Sequence, residues 1–193
     1  MGTEMLLSHT VPLAFAAGLN MYATIAVIGL SGRFALVSLP ESLRVFENPW
    51  VIGVALAMFT IEFIADKVPW FDSVWDAVHT LIRPLGGAFI AMTAIGVASP
   101  ATTTIAALIG GSTALTAHLT KAGARAAANT SPEPFTNWLL SLGEDVVAVS
   151  ISYAALTHPV LALTIAGALL LLILACASLI VRALRRRLSA RPR

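Results

Sequence analysis

Between two apolar runs, residues 59–84 read FTIEFIADKVPWFDSVWDAVHTLIRP and hold Glu62, Asp66, Lys67, Asp72, Asp76, His79 and Arg83. Residues four apart on a helix share a face, so Glu62 and Asp66 point the same way. Asp72, Asp76, His79 and Arg83 follow at i, i+4, i+7 and i+11, while Phe71, Val74, Trp75, Val78 and Ile82 fill the opposite face. One polar face therefore continues from one helix into the next. Grouped carboxylates of this kind can carry a proton, meet a cation, or close salt bridges with basic side chains.

A second acidic pair, Glu144 and Asp145, sits in the apolar run 135–157, and Lys121 and Arg125 stand at i and i+4 near the end of the run before it. A charge at the centre of a spanning helix costs about 2.5–3.5 kcal/mol on insertion scales. Glu62, Glu144 and Asp145 must then face the bundle interior, a water-filled cavity, or each other. Asn20 joins this group, because a buried amide needs several partners. The candidate binding residues are thus Glu62, Asp66, Glu144, Asp145, Asn20, Lys121 and Arg125, with Asp72, Asp76, His79 and Arg83 as a vestibule. The bland alternative is that Glu62 closes a salt bridge with Lys121 or Arg125 and that Asp72, Asp76 and Arg83 form solvated pairs. Lys67 reads as a snorkelling anchor.

The elements that position these groups are membrane helices. Of 193 residues, 58% are hydrophobic and 11% charged, with a mean hydropathy of +0.85. A soluble domain carries about 25% charged residues, so the solvent for this surface is a bilayer. Spans of about 20 apolar residues are expected at 11–37, 50–66, 85–98, 102–126, 135–157 and 160–184, in one membrane domain over 1–193. The third is short, and it is tilted, broken, or extended by the segment before it. Residues 70–83, between Pro69 and Pro84, are expected as an amphipathic or re-entrant helix. The amino terminus, MGTEMLLSHT, lacks a basic n-region and reads as the lead-in to the first span.

Basic residues are retained on the cytoplasmic side. The tail 185–193, with Arg182 just before it, fixes the carboxyl terminus there, and six spans return the amino terminus to the same side. Lys67, Arg83, Lys121 and Arg125 then also lie inside, leaving Arg33 and Arg44 outside. GLNMYATIAVIGLSGR (18–33) and GGSTALTAHLTKAGARA (110–126) share a leading Gly, a Thr seventh and an Arg sixteenth. Each precedes an acid-bearing span and then a proline-entered one. Two three-span units (11–98 and 102–184) would insert opposite ways up, the inverted repeat of many transporters. The fold class is all-α: six transmembrane helices in two inverted three-helix repeats.

Other chemistries fail on inspection. There is no G-x-S-x-G, H-E-x-x-H, G-x-x-x-x-G-K-[ST] or C-x-x-C, and the single Cys176 forbids an intramolecular disulfide. Adjacent Glu144 and Asp145 point to different faces and make a poor catalytic dyad, so no enzyme, catalytic residue or cofactor is expected. Hard oxygens and His79 would suit Mg, Mn or Zn, with His118 able to approach, but the spacing matches no defined motif and metal binding stays open. The Arg tail alone does not argue for nucleic acid. A bundle this small builds a thin wall, which points to a homodimer with seams on the Gly/Ala faces of the first and fourth spans.

The motifs Glu62-x-x-x-Asp66-Lys67-x-Pro69-x-x-Asp72, Arg83-Pro84-x-x-Gly87, Lys121-x-x-x-Arg125 and Ser141-x-x-Glu144-Asp145 give the chain its resemblance. It resembles the bacterial membrane family catalogued as domain of unknown function 4126. That resemblance implies a small integral membrane protein of the bacterial envelope and brings no activity with it; the expected location is the inner membrane, multi-pass. The residues themselves predict a small transporter or channel-like protein for an ion or small polar solute. The alternatives are a non-catalytic scaffold or partner subunit with internally paired charges, and a lipid-handling protein.

Overall fold

The computed structural model describes residues 3–128 and 134–189. Residues 129–133 and the last four residues of the basic tail lie outside them. The described residues form helices only: α1 (Thr3–Arg33), the short 3-10 helix α2 (Glu41–Glu47), α3 (Pro49–Ala65), α4 (Pro69–Ile95), α5 (Pro100–Ala128), α6 (Pro134–Thr157) and α7 (Pro159–Ser189).

Each long helix after the first starts at a proline. Proline's missing N–H is no loss in the first turn, and its fixed φ suits a helix start. Asn48 adds a cap to α3, its side-chain oxygen accepting from the backbone N–H of Trp50 at 2.9 Å.

The expected amphipathic helix near 70–83 and the expected third span are one continuous helix, α4. Pro84 lies inside it rather than ending it. A proline in mid-helix removes one N–H and leaves the carbonyl four residues back without its helical partner. Membrane helices tolerate this, because packed neighbours make good the loss.

Among the described residues, four helices are long and apolar enough to cross a membrane: Leu7–Arg33, Trp70–Ile95, Phe135–Thr157 and Pro159–Arg182. The bent pair α2 and α3, meeting at 64°, makes a fifth if it counts as one span. α5 is not among them, since Thr, Ser, Gly and two charged residues dilute its apolar content. Its hydroxyls are nonetheless bonded back onto their own helix, as with Thr116 to the Ser112 carbonyl at 2.8 Å and Thr120 to the Thr116 carbonyl at 2.9 Å.

α1 is the central pillar, packed against every other helix. α7 lies at the rim, with only 11% of its span buried. The helix packing does not confirm the two-repeat arrangement. Two equivalent halves would pair α1 with α6 as they pair α5 with α3. In fact α1 and α6 pack along each other, whereas α5 and α3 meet mainly through long side chains.

Part of the Gly/Ala faces expected as dimer seams packs inside the chain. A Cβ on Gly18 would strike Ala114 and Ala117 of α5, and one on Gly110 would come within 2.6 Å of the Gly87 carbonyl oxygen of α4. Such close backbone approach is what small residues permit between membrane helices.

Candidate functional site

The site grows from four helix ends and one helix break. Glu62 lies in the last turn of α3 and Asp66 caps its carboxyl end. Asp72 stands in the first turn of α4, where negative charge suits the helix dipole. Lys121 and Arg125 lie toward the carboxyl end of α5, where positive charge suits it. Ser141, Glu144 and Asp145 come from the first half of α6.

These residues converge. Lys121 Nζ is 3.1 Å from Glu62 Oε1, 3.5 Å from Asp66 Oδ2 and 3.7 Å from Glu144 Oε2. Arg125 gives Nη2 to Asp66 Oδ2 at 2.6 Å and to Glu144 Oε2 at 2.7 Å, and Nη1 to Asp72 Oδ1 at 2.7 Å. Ser141 donates to Asp66 Oδ2 at 3.2 Å. Arg83 pairs with Glu62 through Nη2. The side chains of Arg83, Lys121, Glu62 and Asp66 are fully buried, while that of Glu144 is 13% exposed.

Asn20 sits at the heart of α1, and its backbone is not helical (φ −150°, ψ 100°). The break frees carbonyls for the basic side chains: Arg83 Nη1 donates to the Gly18 oxygen at 2.8 Å and Lys121 Nζ to the Leu19 oxygen at 3.2 Å. Asn20 then caps the second half of α1, its Oδ1 accepting from the Ala23 N–H at 2.9 Å. Its Nδ2 donates to Asp145 Oδ1 at 2.9 Å. Carbonyls at the end of one half-helix thus face cations, as the helix dipole favours.

Along α4, Asp72 to Arg83 is eleven residues, about 16 Å at 1.5 Å per residue. The polar groups therefore form a column reaching about half the thickness of a 30 Å hydrocarbon core. At its inner end Arg83 Nη1 is 3.0 Å from His118 Nδ1. Arginine can only donate, so Nδ1 accepts and the His118 proton sits on Nε2. That nitrogen lies 3.1 Å from the Asp76 carbonyl oxygen, which accepts from it.

Of the four expected vestibule residues, two line an opening. Asp72 and Asp76 border a cleft of about 230 Å³ between α4 and α5, with Ser73, Thr80 and Arg125 also in its wall. Arg83 and His79 do not. Arg83 is buried in the column, and His79 is stacked on Trp75 (ring centroids 4.5 Å apart) with Nε2 3.1 Å from the Tyr22 hydroxyl. Helical periodicity assigns a face correctly but says nothing of depth, which is why the sequence placed these two in the vestibule.

Lys67 stands apart, with Nζ 3.3 Å from the centroid of the Phe63 ring and 3.0 Å from the Phe63 carbonyl oxygen. Burial there pushes its ammonium below the usual lysine range. Among the described residues, no group of three or more His, Cys, Asp or Glu is placed to hold a metal ion.

Sequence reasoning missed the break at Asn20, the backbone oxygens of Gly18 and Leu19, and the hydroxyls of Ser141 and Thr80. Gly18 and Asn20 inside an apolar run were the one signal for the break. Residues 7–178 match the family described as Domain of unknown function (DUF4126). The chain belongs to that family. No curated protein and no solved structure matches it.

Proposed function

We propose that this DUF4126 member is a non-enzymatic carrier that moves an ion or small polar solute across the bacterial inner membrane. One observation carries the reading. Six carboxylates (Glu62, Asp66, Asp72, Asp76, Glu144, Asp145) share the column with three cations (Arg83, Lys121, Arg125), around a broken central helix.

A network built only for assembly gains most when charges match, since an uncompensated buried charge costs several kcal/mol. Here Glu62 Oε2, Asp66 Oδ1, Asp76 Oδ1 and Asp145 Oδ2 are buried without a hydrogen-bond partner. A surplus of acids suits a site that exchanges a proton or cation. Half-helix ends beside such a site suit a carrier as well, because discontinuous helices supply backbone ligands near the middle of transporter bundles.

In this reading all six long helices cross, α5 included, with both chain ends in the cytoplasm and the two halves inserted opposite ways up. The test is flux in proteoliposomes. Glu62→Gln and Glu144→Gln are expected to abolish it while the protein stays folded, and unchanged flux in both removes the acidic centre.

A second reading, a scaffold with internally paired charges, is favoured by Arg125 and Lys121, each of which meets three carboxylates. The broad lipid-facing surface of α7 would then receive a partner helix. It predicts a co-purifying membrane protein and no ion-dependent stabilisation.

A further inference from the structure

Asp76, like Asp145, makes no direct ion pair with the column's cations. It is only 6% exposed, its Oδ1 has no hydrogen-bond partner, and among the described residues no Lys or Arg stands within ion-pair distance of it. It nevertheless lines the cleft between α4 and α5. The one cation in that wall, Arg125, is committed to Asp66, Asp72 and Glu144. The charge of the cleft left over is therefore the single negative charge of Asp76.

We infer that this cleft binds a monovalent cation at the Asp76 carboxylate. The inference deepens the transport reading and rests on it for what the bound ion does, while binding itself is read without flux. Water's share of liquid volume is about 30 Å³, so about 230 Å³ holds a cation with several waters, or a small protonated amine. Asp76 is seven residues into α4, about 10 Å from its start, so the cleft lies in the half of the helix nearest that end. Hydroxyls of Ser73 and Thr80 in the wall offer neutral oxygen ligands. A divalent ion fits poorly. Calcium takes about six to eight oxygens with several carboxylates, and Asp72 is already held by Arg125 at 2.7 Å.

The test uses the purified full chain in detergent. Its unfolding midpoint is followed against sodium, potassium, ammonium and methylammonium chlorides, with N-methylglucamine chloride keeping ionic strength constant. A saturable rise is expected with at least one of them. A response to sodium or potassium alone assigns an alkali ion, and one to ammonium and methylammonium alone assigns a protonated amine. Asp76→Asn is expected to weaken the apparent affinity at least tenfold. Ala77→Leu, on the exposed rim of the cleft with the acid intact, is expected to weaken it as well. A wild-type midpoint that follows pH but no cation, or a cation response unchanged in both variants, overturns the inference. Saturable binding without flux leaves the site standing and removes the transport reading; flux without any cation response does the reverse.

Discussion

Asn20 donates to Asp145 Oδ1 at 2.9 Å from the one residue in α1 with non-helical backbone angles. One amide therefore ties the central helix to the second acidic pair and caps its own half-helix through the Ala23 N–H. Both functions belong to a side chain with no solvent exposure.

Asn20→Ala loses both bonds. A lost Asn cap costs about 0.5–2 kcal/mol, and a buried acceptor left unpaired costs about 1–3 kcal/mol. The expected total is about 1.5–5 kcal/mol, read as a lower unfolding midpoint in detergent. Asp145→Asn keeps an oxygen for Asn20 to donate to and is expected to cost less. An Asn20→Ala variant as stable as wild type would mean that the break is held by other contacts.

Arg125 is the keystone of the cation set. Removing one partner from a buried ion pair costs about 3–5 kcal/mol, and Arg125→Ala takes its nearest cation from three acids at once. The variant is expected to accumulate poorly in the membrane. Arg125→Lys keeps the charge but loses the planar fork, and an ammonium cannot reproduce three directed contacts. It is expected to fall between. Adding Asp66→Asn to Arg125→Gln should recover part of the loss, because the pair are in contact and their effects do not add.

The convergence of Glu62, Asp66, Lys121, Arg125 and Glu144 was legible in the sequence for one reason. Charges this costly in lipid must find each other, and only a few residues carry them. The starts of α4 and α7 were legible from Pro69 and Pro159. The break at Asn20 was not, because Leu19 and Met21 suit a continuous helix; Arg83 and Lys121, arriving from α4 and α5, take the freed carbonyls. Pro84 misled in the opposite direction, since a helix packed along one face against α1 and α5 survives a proline that would end an isolated one.

Glycine substitutions separate packing from propensity. Gly110→Ala pushes a methyl onto Ala91 and the Gly87 backbone, and overpacking of this kind costs about 1–3 kcal/mol. Gly123 and Gly143 meet nothing within 4 Å. Their alanine variants are expected to be neutral or stabilising by up to about 1 kcal/mol through helix propensity. Equal midpoints for Gly110→Ala and Gly123→Ala would show that α4 and α5 do not approach as described.

Cysteine labelling tests the proposed crossings. The start of α2 and the link after α4 share one end of the molecule, where residues 40–42 and 92–97 line a common cleft. The link between α3 and α4 must then lie at the other end, if both helices cross. Arg44 and Val97 are exposed at the first end and Val68 at the second. With Cys176→Ser as background, Arg44→Cys and Val97→Cys are expected to react with a charged, membrane-impermeant maleimide added to intact cells. Val68→Cys is expected to react only after permeabilisation, because retained basic residues such as Lys67 mark the cytoplasmic side. If all three react from outside, α3 and α4 form a hairpin that does not cross. The acid column would then lie on the membrane surface, and the case for a carrier would fall with it.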